Sequence, residues 1–291
     1  MTVPAPLCRD IDRIDTTPYD GTVPGRWIQL GLATPAGRPG PLYPELAQAV
    51  REWLDGGLLS DFFFMHKPPG LRVRFAPAPG HGPLVRTELD RLVREWQDAG
   101  LVAAVQPGVY EPEAQLFGGP ESMRHVHRLF TVDATTWLDH HALGTETPAW
   151  PLSLLMLRAV FDGLQVVGWE DRDVWARVAA AGRHRPDGVR AVDAGAAHER
   201  LRRWWEQPAE LAAALPKRVR ELADRHADAV RPLLRAWWTD YFSSAHAVLG
   251  PRQAAAYYVV FHWNRAGLGF GRQVLITESL ARVEGAGVDV R

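Results

Sequence analysis

Little in this chain invites covalent cross-linking, metal capture or membrane insertion. It has one cysteine, Cys8, which excludes both an internal disulfide framework and a cysteine zinc cluster. Lysine occurs only as Lys67 and Lys217, so arginine carries nearly all the positive charge. The formal charge of -1, from 33 basic and 34 acidic residues, excludes the overall basic field that would recommend a nucleic-acid partner. No apolar run approaches bilayer length, and the N-terminus lacks the apolar core of a signal peptide. These absences predict a cytoplasmic protein with no membrane partner. Tryptophan, by contrast, is plentiful, and core packing accounts for most of the 12 residues.

The most informative stretch is DFFFMHKPPGLRVRF, Asp61 to Phe75. It predicts two strands joined by a short Lys67-Pro68-Pro69-Gly70 loop. Strand side chains alternate between faces, so Leu71, Val73 and Phe75 share one side and Arg72 and Arg74 the other. Two neighbouring guanidiniums can grip a carboxylate or a polarised carbonyl. On pattern alone, they are more often solvated strand residues.

Residues 1 to about 24 show no periodicity and read as a loose arm. Arg26–Ala33 predicts a strand, exposed at a sheet edge. A helix follows, with Tyr43, Leu46, Ala47, Val50, Trp53 and Leu54 at helical spacing, stopped by Gly56-Gly57. After the central strand pair, Pro83 opens a second helix that Gly100 ends, and Leu101–Tyr110 predicts a fourth strand. The order β-α-β-β-α-β is that of ferredoxin-like folds. The expected class is therefore α+β: an antiparallel sheet half, residues 1–117, packed in one domain against a mostly helical half, 118–291. Helices are expected at 120–141, 151–164, 170–181, 196–213, 217–240, 251–266 and 271–283, with an exposed loop at Arg183–Gly195. The helical half is expected to cover the open face of the sheet, with a site in the cleft between them.

Three segments could carry chemistry besides the arginine strand. Gly118-Gly119-Pro120 opens a helix whose free N–H groups can hold an anion, although Glu121 suits that end equally well. His127 lies on the apolar face of that helix, where a hydrogen-bonded core histidine is the commoner outcome. His125 and His127 diverge on a helix, and His140-His141 are adjacent, so no metal site is predicted. Near the end, Tyr258, His262 and Arg265 share one helical face, an arrangement suited to acid–base work or simply to a helix terminus.

Together GLRVRF, YEPEAQLFGG, the following M…H…LF…D run and FHWNR resemble the thiopeptide-type bacteriocin biosynthesis family. Its members stand alone or form the C-terminal elimination domain of lantibiotic dehydratases. The resemblance implies an enzyme without cofactor that tailors a ribosomally made precursor peptide bearing a leader, with dehydratase proteins as possible partners. It implies that Arg72, Arg74, Tyr110 and His262 are catalytic. Glu113, His127, Tyr258, Asn264 and Arg265 would bind or position substrate. Two reactions occur in the family, glutamate elimination from glutamylated Ser or Thr and pyridine formation from two dehydroalanines. Eliminating members carry an arginine before the aromatic-Gly-Gly, where this chain has Leu116. They also place a histidine where this chain has Val260. The missing arginine favours pyridine synthesis, with elimination as the alternative and a non-catalytic peptide binder as the third reading.

Overall fold

The computed structural model describes residues 27–144, 147–183 and 195–281. The N-terminal arm and the Arg183–Gly195 loop expected from sequence lie almost wholly outside these residues.

Four strands, β1 (Ile28–Ala33), β2 (Leu59–Lys67), β3 (Gly70–Pro77) and β4 (Ala104–Gly108), form one antiparallel sheet in the order β2-β3-β1-β4. Helices α1 (Leu42–Asp55) and α2 (Gly82–Asp98) connect them in the expected β-α-β-β-α-β sequence. The register pairs Ile28 and Phe62 with Phe75, Leu30 and Phe64 with Val73, and Leu32 and His66 with Leu71. These rows share one face, and α1 and α2 bury it, for example through Trp53 against Phe75 at 5.8 Å. Gln29, Phe63, Met65, Arg72 and Arg74 fall on the other face, as a two-residue period requires.

One sequence expectation is corrected here. Strand β1 pairs with both β3 and β4, so it lies inside the sheet and offers no edge for an added peptide strand. The edges are β2 and β4.

Helix α3 (Pro120–Ala142) takes the β2 edge. The backbone N–H of Phe62 donates to Thr131 Oγ1 at 3.0 Å, so a helical side chain satisfies a strand-edge donor. Gly118 and Gly119 make the approach to α3 through positive φ values of 88° and 110° that L side chains rarely adopt. The remaining helices are α4 (Ala149–Gly163), α5 (Glu170–Ala180), α6 (Gly195–Glu206), α7 (Pro208–Ala213), α8 (Lys217–Trp237), α9 (Pro251–Ala266) and α10 (Phe270–Ala281). The single helix expected at 196–213 is two, because Pro208 opens a new first turn after Gln207 leaves helical geometry. The helical half meets the sheet chiefly at β2, through α3 and α9, and His127 of α3 reaches across to Trp27 and Tyr110.

The β2–β3 turn is tight enough to test. A Cβ at Gly70 would lie 2.0 Å from the Leu32 carbonyl oxygen. Gly70→Ala is expected to cost about 1–3 kcal/mol, the range for forced overpacking. Chemical denaturation checks this, and an unchanged midpoint would refute the close approach.

Candidate active site

The alternation of β3 delivers Arg74 to the open face, where it is 4 % exposed. Its Nε donates to Gln29 Oε1 at 2.8 Å, and one terminal nitrogen lies 3.2 Å from Met65 Sδ. The guanidinium carbon stands 4.8 Å from the ring centres of both Phe63 and Tyr110. Burial pulls its pKa down to about 10, which leaves it a cation at neutral pH. Gln29, two aromatic faces and a thioether thus fix one charge in a single orientation.

Tyr110, just beyond β4, lies 2.9 Å from His127 Nε2 on α3, a hydrogen-bonding distance. Trp27 packs on both rings, at 5.2 Å and 4.7 Å. Burial raises the Tyr110 phenol, and Glu113 adds to that rise while Arg74 opposes it. Burial pushes His127 down to about 4, with Arg74 adding to the effect, so the imidazole is neutral at pH 7. A phenol and a neutral imidazole sharing one hydrogen bond can pass a proton in either direction. Tyr110 and Glu113 oppose the lowering of Arg74, but among the described residues no carboxylate forms an ion pair with this guanidinium. Arg72 sits half-buried two residues nearer the hairpin tip, beside a pocket of about 210 Å³ shared with Gly31 and Gln106.

A second polar cluster lies behind an aromatic layer. Phe130 packs on Phe63 at 5.3 Å, and on its far side the Arg265 guanidinium lies 4.2 Å from the Phe130 ring centre. Asp133, fully buried on α3, accepts from His262 Nδ1 at 2.6 Å and from Arg265 Nε. A carboxylate only accepts, so His262 carries a proton on Nδ1, and its Nε2 lies at hydrogen-bonding distance, 2.8 Å, from the Ser153 hydroxyl. His226 stands 3.8 Å from the same carboxylate. Burial alone would raise Asp133, but His262 and Arg265 hold it well below the usual carboxylate range. Burial also raises the Tyr258 phenol, and the Asp133 charge beside it adds to that.

A family model for the C-terminal part of the lantibiotic biosynthesis dehydratase matches residues 27–283. The chain belongs to the lantibiotic dehydratase C-terminal family. Among solved structures, this family member is similar to the tRNA-dependent lantibiotic dehydratase MibB from Microbispora sp. 107891. The two share 18 % identity with a TM-score of 0.67, over 89 % of this chain and 28 % of that one. The chain thus spans under a third of the length of MibB, and the likeness is one of fold. TsrL overlaps 89 % of this chain and 94 % of its own at 16 % identity, with a TM-score of 0.48. No curated protein matches the chain.

In this family member the residues singled out from sequence fall into three places. Arg74, Tyr110 and His127 meet on the open face with Glu113 close enough to perturb two of them, and Arg72 flanks them. His262, Tyr258 and Arg265 gather around Asp133, and both nitrogens of the fully buried His262 are engaged there. Asn264 lies elsewhere, against a cavity at the end of α9. Sequence reasoning missed the roles of Trp27, Gln29, Ser153 and His226. The aspartate closing the LF…D run was the one available signal for Asp133.

The buried imidazoles set the acid response of the fold. His127, His141 and His226 are each pushed down to about 4 by burial. Between pH 6.5 and about 4 the unfolded chain therefore binds more protons at these sites. Their contribution is complete above 6.5 and lost as pH falls through 4. Asp61, raised by burial to about 6, runs the other way and disfavours the fold as pH rises from 3.8 to 6. Three groups outweigh one, so the thermal midpoint is expected to fall steadily as pH drops from 6.5 to 4.5. A flat profile would mean that these rings are not held neutral.

Proposed function

We propose that this chain tailors a ribosomally made precursor peptide as a pyridine synthase, joining two dehydroalanines in a formal aza-cycloaddition. The observation that carries this reading is the composition of the Arg74 site. Its one buried cation is held by Gln29, Met65 and two aromatic faces, and Leu116 stands where eliminating relatives would supply a third arginine. A glutamyl leaving group brings negative charge that the missing arginine would have answered. A neutral peptide brings none and needs polarised carbonyls and a proton relay.

In this scheme Arg74, with Arg72 beside it, polarises the amide carbonyl joined to the first dehydroalanine nitrogen. The amide proton shifts from nitrogen to oxygen, giving an azadiene. Two carbon–carbon bonds to the second dehydroalanine then close a six-membered ring. Tyr110, paired with His127, protonates the ring hydroxyl as it leaves as water. The leader departs as its amide when the ring becomes aromatic. His262, Tyr258 and Arg265 act through the Asp133 cluster as supports, and no cofactor enters the scheme.

The strand order β2-β3-β1-β4 supports reading the sheet half as ferredoxin-like. One continuous core running from Ile28 to Leu280 supports a single domain for the two halves. Among the described residues no helix is long and apolar enough to cross a membrane. We place the reaction in the cytoplasm, downstream of dehydratase partners. Glutamate elimination is the second reading, favoured by the paired arginines and by the fold shared with a lantibiotic dehydratase.

Mass spectrometry separates these activities. The protein is offered a leader-bearing peptide with preformed dehydroalanines and, separately, a glutamylated precursor. Loss of water with release of leader amide is the expected result. Release of glutamate from the second substrate alone would replace it with elimination, and binding without turnover would leave a peptide-binding protein.

A further inference from the structure

The Lys67–Gly70 turn separates two cavities. On the open face lies the small pocket beside Arg72, whose wall includes Lys67. On the other side a larger cavity, about 540 Å³, opens where the start of α1 and the ends of β2, α3 and α9 meet. The loop bearing Arg38 lines the larger cavity and is tied to the turn, since Thr34 N–H donates to the Pro69 carbonyl at 3.4 Å.

Two hydrogen-bonded imidazoles line the larger cavity. Tyr43 donates its hydroxyl proton to His66 Nε2 at 2.5 Å, and His66 Nδ1–H donates to the Asn264 carbonyl at 2.9 Å. His141 Nε2–H donates to the Arg265 carbonyl at 3.1 Å. The two imidazoles therefore cap carbonyls at the end of α9, which fixes their tautomers. Burial lowers the pKa of both rings. Fixed charge at the tip comes from Arg38 in the larger cavity and from Lys67 and Arg72 in the smaller. Among the described residues none of these three makes an ion pair, and no carboxylate lines either cavity. That is unexpected in a chain with as many acidic as basic residues. The Asn264 side chain forms no hydrogen bond among the described residues, and an amide there can pair with both the N–H and C=O of a peptide.

We propose that an acidic, extended segment of the peptide substrate, outside the residues that react, docks over the hairpin tip. One part enters the larger cavity beside Arg38 and Asn264, and another passes Lys67 towards the open face, leaving Arg72 to the reacting residues. This rests on the reading of the chain as a peptide-tailoring enzyme, and it adds where and by what chemistry the non-reacting part is held. Anchoring a segment away from the reacting atoms raises the local concentration of the core peptide at Arg74 without occupying that site.

Fluorescence anisotropy tests the proposal with a labelled peptide of alternating glutamate and leucine, and the same peptide with glutamine at each glutamate. The glutamate peptide is expected to bind at least about tenfold tighter, with the difference shrinking as salt rises. The double variant Arg38→Glu/Lys67→Glu, at two exposed positions, is expected to abolish that preference. Gly40→Phe, at a residue that lines the larger cavity and whose Cβ would meet nothing within 4 Å, is expected to weaken binding with an unchanged melting curve. Equal binding of the two peptides by the native protein would overturn the proposal, as would a preference that survives charge reversal. Unchanged binding by Gly40→Phe would overturn the larger cavity as the dock. Binding is read here without turnover. Charge-selective binding without cyclisation defeats only the proposed reaction, while cyclisation without charge preference defeats only this inference.

Discussion

Arg74→Ala is expected to lower the rate of product formation by about 100- to 1000-fold, the range for loss of one preorganised donor at a site of developing charge. The magnitude follows from how the guanidinium is held. Its orientation is set by Gln29, Met65, Phe63 and Tyr110 before any substrate arrives, so little reorganisation accompanies the reaction. Alanine also removes packing, so Tyr110→Phe is the cleaner companion. It keeps the ring against Trp27, Phe63 and Arg74 and deletes only the hydroxyl that meets His127. A loss of about 100-fold or more is expected, with unchanged thermal unfolding, the usual scale for an acid–base group. Single-turnover rates by mass spectrometry provide the measurement. Native rates in both variants would remove this face from the chemistry.

Asp133→Ala is expected to have the largest effect on stability, about 3–5 kcal/mol, as when one partner of a buried ion pair is removed. The carboxylate accepts from His262 and Arg265, and all three side chains are fully buried. Without it the Arg265 guanidinium keeps its charge in a buried setting beside the Phe130 and Tyr258 rings, with no carboxylate to pair it. Urea denaturation of the variant checks the size of the effect. A loss below about 1 kcal/mol would show that the cluster is not a net support, given the desolvation such groups carry. The companion change His262→Gln is expected to cost less, because Arg265 and Asp133 still pair. These stability changes should leave the activity of the surviving folded fraction largely intact, whereas Tyr110→Phe does the reverse. That crossed pattern distinguishes the two clusters.

The sheet half was legible because its signals are local. Leu71, Val73 and Phe75 alternate with Arg72 and Arg74, and a period of two has only one strand reading. The stops at Gly56-Gly57 and Gly100 were equally direct. Strand order was not local. The β1 sequence, IQLGLA, reads the same whether it lies at an edge or inside, and only its pairing with β3 and β4 decides. The grouping of site residues was hidden for the same reason. His262 lies on a helical face with Tyr258 and Arg265, but its partner Asp133 is 129 positions away and Ser153 is 109. No spacing rule spans such distances. Arg74 was found through strand alternation and Tyr110 through a family-like motif, while Gln29, which sets the direction of Arg74, carries no signature at all.

Helix α3 has a consequence for how the molecule tolerates change. His127 and Asp133 are six residues apart on it, about 9 Å along the axis at ~1.5 Å per residue. One points its ring at Tyr110, and the other anchors Arg265 behind the Phe63–Phe130 layer. The helix therefore works as a ruler between surface chemistry and interior support. A shift of either mark along its axis must displace the other by the same amount. Substitutions that slide α3, such as bulk added at Gly118 against the Tyr241 hydroxyl, would detune the proton relay without touching it.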